Sequence, residues 1–225
     1  TTLGFHDEPE LAEAVAWADA IVVGPGLGRT RERTKLVRSL LATAKPAVID
    51  ADALHAGAAA WNTEKGPRVL TPHPGEFAAA FPDLASLAKD DRFAAAERAA
   101  SVAGATILLK GVPTVVAAAK AAALVVAAGT PALATGGRGD VLAGFIGAFL
   151  ARGLAPQTAA ALAAHAMGRA AEFAAALNSA RAVRPADVMA AVPGLWKRWV
   201  EEPRARPPVL AELDPTQLLG FLTKA

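Results

Sequence analysis

At 225 residues the chain is long enough for one large domain with a full core or for two small ones, and a single domain is the expectation. Alanine supplies much of the 53% hydrophobic content, and every apolar run is broken, as by Lys120, or closed, as by Arg152, before it could span a bilayer; closely packed helices are expected, and a membrane partner is not. The absence of cysteine excludes disulfides, thiolate zinc sites and a cysteine nucleophile, the four histidines show no ligand-pair spacing, and a formal charge of +2 from interspersed signs is no nucleic-acid footprint.

Pro9 to Asp19 has helical spacing, with Leu11, Val15 and Ala18 on one side and Glu10 and Glu13 off it. Ala20 to Val23 reads as a short buried strand running into Gly24-Pro25-Gly26-Leu27-Gly28, and Thr30 to Ala42 as the helix that follows. This is the grammar of a ligand loop at the carboxyl end of a parallel strand, although the spacing is no dinucleotide fingerprint and a plain tight turn is the simpler account. Pro46 to Asp50 is a second strand. Asp50 and Asp52 would share one side of an extended segment and face the same cleft; alternatively, Asp52 caps a short alanine-rich helix reaching Ala60. Trp61 to Pro67 reads as a polar loop.

Arg68 to Thr71 is a third strand, and it ends in Pro72-His73-Pro74-Gly75-Glu76-Phe77. The two prolines fix the backbone on both sides of His73 and remove two donors, so the imidazole sits on a rigid extended knuckle, which favours a site role over that of an ordinary surface histidine. Glu76 would open the next helix and complement its dipole. Asp90 to Val102 is a helix with Phe93, Ala96 and Ala100 inward, stopped by Gly104. Ala105 to Leu109 is the fourth strand, ending in Lys110-Gly111-Val112-Pro113-Thr114. There a lysine ammonium can enter a phosphate cleft beside the Thr114 hydroxyl; a surface lysine at a turn is the alternative.

Val115 to Ala128 sets alanine, a helix former, against the pairs Val115-Val116 and Val125-Val126; a hairpin turning near Ala119-Lys120 is expected, since Gly129-Thr130-Pro131 must carry extended chain onward. Ala134-Thr135-Gly136-Gly137-Arg138-Gly139-Asp140 then opens the apolar helical segment Val141 to Ala151. Glycine lets bare backbone N–H groups approach an anion at a helix N-terminus, and phosphate is the anion expected. A carboxylate beside an anion is costly unless it takes a proton or holds a metal, so Asp140 is either such a group or a plain helix cap. Gln157 to Leu177 reads as a long alanine-rich helix and Arg184 to Ala191 as a short one. Residues past about Val200 read as an appendage closing in an amphipathic tail, Asp214 to Lys224.

Four short apolar strands alternating with helices argue for the α/β class, with a parallel sheet covered on both faces. Ligands of such sheets bind outside the carboxyl ends of the strands, where each of these loops falls. In this order, Gly24 to Gly28, Ile49 to Leu54, Leu70 to Glu76, Leu109 to Gly111 with Thr114, and Ala134 to Leu142 resemble the NAD(P)H-hydrate dehydratase family of the ribokinase-like superfamily, over roughly residues 20 to 190. Thr71-Pro72-His73-Pro74-Gly75-Glu76 is the most specific part; related thiazole and pyrimidine kinases usually carry Asn where His73 stands.

The resemblance implies a ribokinase-like three-layer α/β/α sandwich with a mostly parallel central sheet over residues 1–200, with 201–225 appended. It implies a lyase that repairs NADH or NADPH hydrated on the nicotinamide ring: ADP, or ATP in some relatives, phosphorylates the ring hydroxyl, and phosphate then leaves to restore the double bond. In that scheme Asp140 takes the hydroxyl proton, and the loop of Thr135, Gly136, Gly137, Arg138 and Gly139 stabilises the transferring phosphoryl group. Lys110, Gly111 and Thr114 would hold the nucleotide, while Gly26, Gly28, His73 and Asp140 would line the hydrate pocket. Magnesium fits phosphate chemistry, with Glu76 or Asp52 as outer-shell candidates.

Two departures from the family stand out. Arg138 replaces a residue that is usually neutral, such as Thr, and is expected to add a charge-assisted contact to the donor phosphates. The family's usual opening strand and glycine-rich segment have no counterpart ahead of the first helix, so a truncated chain, one completed by a neighbour, or weak catalysis is expected. A kinase of the hydroxyethylthiazole kinase type and a non-catalytic nucleotide-binding module are the competing readings. No secretion signal is visible, which points to the cytoplasm, and the alanine-rich outer helices are compatible with a homo-oligomer.

Overall fold

The structure of the chain, a computed structural model, describes residues 8–61, 65–134 and 136–202. Six strands form one sheet in sequential order: β1 (Ile21–Val23), β2 (Ala47–Ile49), β3 (Arg68–Leu70), β4 (Thr106–Leu109), β5 (Thr114–Ala117) and β6 (Leu124–Val126). The first four are parallel, β5 returns antiparallel to β4, and β6 pairs antiparallel with β5, as the hairpin reading expects. Thus the sheet is mostly parallel.

Stepping in one direction through right-handed crossovers places the intervening helices on one face. That face holds α2 (Arg31–Leu41), α3 (Ala58–Trp61), α4 (Pro74–Ala80), α5 (Leu87–Asp90) and α6 (Arg92–Ala103), preceded by α1 (Glu8–Trp17). Ile49, Leu70, Ile107 and Leu109 pack there against Val37, Leu41, Trp61, Phe77 and the buried alanines of α6. The opposite face needs cover from later in the chain. It receives α7 (Arg138–Ala151), α8 (Pro156–Asn178) and α9 (Pro185–Glu201), which enclose Val48, Val69, Leu108 and Val116. Burial on both faces explains why the strands are continuous apolar runs rather than alternating ones.

Small residues set the layer spacing. A Cβ on Gly147 of α7 would lie 2.5 Å from Val22 Cγ2, and one on Gly168 of α8 would lie 2.4 Å from the Ala128 carbonyl oxygen. Alanine lines much of α6 and α8 for the same reason, and large apolar side chains are concentrated where the layers can accept them.

Three local expectations change. Helix α9 runs on through Pro193 to Glu201, because its inward Val188, Val192, Leu195 and Trp199 are buried against α8 and that packing outweighs the proline. Trp61 is not in a loop: it closes α3, buried, with its ring centroid 5.3 Å from that of Phe81. Phe93 is 40% exposed, since Asp91 rather than an earlier residue caps α6 and the alanines turn inward instead. Gly104 ends that helix in the left-handed conformation, φ 60°, as expected. The tail Asp214 to Lys224 lies outside the described residues.

Candidate active site

Every strand-end loop singled out in the sequence comes to the same end of the sheet. At the β1 exit, Gly24 (φ +128°) passes so close to β2 that a Cβ would sit 1.7 Å from the Asp50 carbonyl oxygen, a position closed to any other residue. Gly26 and Gly28 also have positive φ, but the space where a Cβ would stand is open. They can therefore line a pocket without filling it.

The β2 exit separates its two acids. Ala51 adopts φ 46°, a left-handed conformation that breaks the extended geometry under which Asp50 and Asp52 would share a side. Asp52 turns to the β1 loop: Gly28 N–H donates to its Oδ2 at 2.9 Å and Arg29 Nε donates to its Oδ1 at 2.7 Å. Those two hydrogen bonds, the Arg29 side chain's first and the Gly28 backbone's second, hold its carboxyl below the usual range. Asp52 is consequently not a helix cap; it clamps the glycine loop. Asp50 turns inward and is 2% exposed.

At the β3 exit His73 caps α4. Its Nδ1 accepts from the N–H groups of Gly75 (3.0 Å) and Glu76 (3.2 Å), and Glu76 Oε2 accepts from His73 N–H at 2.8 Å. The ring proton is left on Nε2, which faces Glu76 Oε1 at 3.4 Å. The proline knuckle thus presents a pre-set imidazole with half of its side-chain surface open to solvent.

Lys110, at the β4 exit, joins the loops. Its backbone N–H bonds Pro72 O at 2.9 Å. Its side chain crosses the β3 exit to reach Asp50 Oδ1 at 2.9 Å, passing Glu76 Oε2 at 3.6 Å. Gly111 lies against the guanidinium of Arg92, whose Nη2 would be 2.3 Å from an added Cβ and donates to Lys110 O at 3.1 Å. The Thr114 hydroxyl donates to Gly111 O at 3.1 Å and closes the turn.

The glycine loop arrives from the other side. Gly137, φ 79°, caps α7 without a side-chain bond, so the first N–H groups of α7 carry no side-chain acceptor at their cap. A Cβ on Gly139 would stand 3.5 Å from Asp50 Oδ2 and 3.7 Å from Lys110 Nζ. The α7 N-terminus is therefore in direct register with the Asp50–Lys110 pair. Asp140 follows in the first turn, exposed and with no hydrogen-bonding or ionic partner among the described residues. Gly136 precedes it, exposed; Thr135 lies outside the described residues.

Arg138 does not reach for donor phosphates in this structure. It is 3% exposed, and its Nη2 donates to the Val183 carbonyl ahead of α9. Its Nε and Nη1 have no partner. The cause is local: at the first position of α7 its side chain falls on the face packed against the α8–α9 junction, where a Cβ on Gly137 would already lie 3.6 Å from Pro185.

The structure thus links Lys110 through Asp50 to Gly139, and through Glu76 to His73, while Gly111 and Thr114 form the turn that follows Lys110. Sequence reading left two participants unassigned. In the sequence Asp50 carries no local signal apart from its pairing with Asp52, and Arg92 carries none. A longer-range signal for Asp50 exists, since an acid at one strand exit and a lysine two strands over are a natural pair across a parallel sheet; Arg92 has none, because its partners are main-chain carbonyls. Among the described residues no group of three or more His, Asp or Glu forms a metal cage.

The family model for NAD(P)H-hydrate dehydratase matches residues 3–193. The bifunctional NAD(P)H-hydrate repair enzyme Nnr of Salinibacter ruber is 43% identical over 188 residues, 81% of this chain and 34% of that protein; the chain spans about a third of that relative's length. The crystal structure of ADP/ATP-dependent NAD(P)H-hydrate dehydratase from Bacillus subtilis, co-crystallised with ATP/Mg2+, superposes with a TM-score of 0.74 at 31% identity, covering 83% of this chain and 69% of that one. A hydroxyethylthiazole kinase protein of Pyrococcus horikoshii superposes with a TM-score of 0.67 over 92% of this chain and 80% of its own, and at 22% identity it shares the fold alone.

Proposed function

Because the chain belongs to the NAD(P)H-hydrate dehydratase family, we propose that it restores NADH or NADPH from the ring-hydrated form at the expense of ADP, or of ATP, releasing AMP and phosphate when ADP is the donor. The observation that carries the reading is the approach of Gly139 to the Asp50–Lys110 pair. It supports a cleft shared by the anion loop and the strand exits, which phosphoryl transfer to a bound alcohol requires.

In this reading Asp140 accepts the proton of the ring hydroxyl as its oxygen attacks the terminal phosphorus of the donor, and the bond to the leaving phosphate oxygen breaks. Asp140 suits the part because it is exposed in the first turn of α7 and has no side-chain partner among the described residues. The N–H groups of Gly137 and Gly139, with the α7 dipole behind them, meet the charge spread over the transferring phosphoryl oxygens. Phosphate then departs with the ring oxygen, and loss of a proton from the adjacent ring carbon restores the double bond. Lys110, Gly111 and Thr114 position the nucleotide on a turn that Arg92 braces from below. Gly26, Gly28 and the capped His73 line the hydrate side, and Asp52 holds that loop in place.

A donor set of two carboxylates and no cage fits magnesium, which keeps several waters and binds largely through phosphates. Glu76, with Asp52 as the second outer-shell candidate, would hold it through the solvent shell, and it would neutralise charge on the donor phosphates. The reaction is assigned to the cytoplasm and needs no nucleic-acid or membrane partner; no helix among the described residues is long and apolar enough to cross a membrane.

The test mixes the protein with hydrated NADH, ADP and magnesium and follows the absorbance of reduced nicotinamide. Recovery of NADH that Asp140→Asn slows by about 100-fold or more is the expected result. Nucleotide binding without turnover would establish a binding module instead, and phosphorylation of a thiazole alcohol with retention of the product would establish a kinase. The His73 cap, in the position where such kinases usually carry Asn, favours the dehydratase.

A further inference from the structure

We infer that Asp50 is a positioning residue for the phosphoryl-transfer step: it holds the Lys110 ammonium against the N-terminus of α7, where the donor's terminal phosphate would rest. The inference rests on the reading above and goes beyond it by assigning Asp50 a part.

Adjacent strands of a sheet lie about 4.8 Å apart, so two strand exits separated by a third are close to 10 Å from one another. A lysine that spans this distance loses the freedom of four side-chain torsions, which an exposed ion pair does not repay. This pair is of another kind. Asp50 is 2% exposed, its Oδ1 receives the ammonium at 2.9 Å, and its Oδ2 faces Gly139, 3.5 Å from where a Cβ would stand. Both ends of the bridge are anchored by main-chain bonds that continue the sheet: Asp50 N–H to Val23 O at 3.1 Å and Lys110 N–H to Pro72 O at 2.9 Å.

The ammonium is therefore placed by the sheet and not by the loop. Its three protons exceed what Asp50 can take, and the other carboxylate beside it among the described residues, Glu76 Oε2, is at 3.6 Å, beyond a good hydrogen bond. The remaining donor capacity points to the cleft, beside the one helix whose N-terminus opens there with a glycine cap. Arg138, the cation nearest in sequence, is turned under the loop to Val183. Lys110 is thus the cation that meets the terminal phosphate, and Asp50 determines where it does so.

The predicted signature is selective. ADP carries the terminal phosphate and AMP does not, so loss of Asp50 should weaken ADP and spare AMP. We expect Asp50→Asn and Lys110→Met each to weaken ADP binding by about tenfold or more in titration calorimetry with magnesium present, with AMP affinity within about twofold of wild type. The double variant should lose no more than Lys110→Met alone, because both substitutions remove one interaction. In turnover, Asp50→Asn should lower kcat while the KM for the hydrated nucleotide holds. Equal weakening of ADP and AMP, or losses that simply add in the double variant, would overturn the inference and leave Asp50 a structural ion-pair partner. Should Asp50→Asn fail to fold, Lys110→Met, whose ammonium is part exposed, decides the matter: unchanged preference for ADP over AMP overturns the inference. Wild-type protein that binds neither nucleotide overturns the family-based reading together with it; wild type that binds ADP while both variants match it overturns the inference alone.

Discussion

Within the cleft, the residues divide by whether their partners are side chains or main chain, and this decides what each substitution should do. Arg138→Thr removes a guanidinium that bonds the Val183 carbonyl and whose Nε and Nη1 are unpaired among the described residues. ADP affinity should stay within about twofold, and stability should fall by about 1–2 kcal/mol, less than for a fully paired buried arginine; calorimetric titration and thermal melts measure the two. Asp52 gives a pH signature. Its folded pKa is depressed, so the stabilisation from clamping Gly28 and Arg29 is complete above the unfolded value of about 3.9 and is lost as pH falls through the lower folded value. Acid unfolding curves of wild type and Asp52→Asn should accordingly differ above about pH 4 and converge below it. The rigidity of the His73 position was legible, since flanking prolines announce it and the ring caps α4. It could not divide Asp50 from Asp52, because that depends on one left-handed residue, Ala51, and alanine gives no hint of it.

Elements were more legible than residues where the pattern was strong. Strands that are buried on both faces and end in glycine, proline or lysine stood out, and the hairpin followed from paired β-branched residues despite the alanines between them. The extension of α9 past Ala191 was not legible, since Pro193 and Gly194 interrupt its pattern and only the packing of Leu195 and Trp199 on α8 carries the helix on. Helical glycines supply the test at this scale. Gly144 has nothing within 4 Å of an added Cβ, so Gly144→Ala should stabilise by about 0.5–1 kcal/mol through helix propensity. Gly147→Ala meets the rotatable Val22 side chain and should cost about 1–3 kcal/mol. Gly168→Ala meets the Ala128 main chain, which cannot rotate aside, and should cost more than Gly147→Ala. Calorimetric Tm values should fall in that order.

For the molecule as a whole, the two ends of the sheet carry separate duties. The three-layer arrangement and the gathering of strand exits were legible, since alternating strand and helix patterns leave few topologies. The opposite end was silent in the sequence. There Arg68, fully buried, donates through Nη1 to Lys45 O (2.6 Å) and Pro67 O (3.0 Å) and through Nη2 to Leu41 O (2.7 Å) and Thr43 O (2.9 Å). It gathers the α2 C-terminus onto the sheet. Burial lowers its pKa, yet an arginine keeps its charge. Arg68→Met should cost about 3 kcal/mol and lower Tm by roughly 6–12 °C. Measured well below the unfolding temperature, kcat/KM should remain within about twofold of wild type, which would show that the two ends are separable.

The antiparallel return of β5 carries a consequence for what the cleft can admit. Three of the strand exits lead away toward helices, but the turn from Lys110 to Pro113 leads straight back into the sheet, with Leu109 paired to Val115 and Thr114 to Val126. Both ends of this turn are welded to neighbouring strands, and Arg92 fills the space beneath it. It behaves as the fixed jaw of a caliper, against which a bound molecule is measured by whatever approaches from the α7 side. A one-residue insertion there would change the gap itself, whereas an insertion beside Gly26 would alter only the lining.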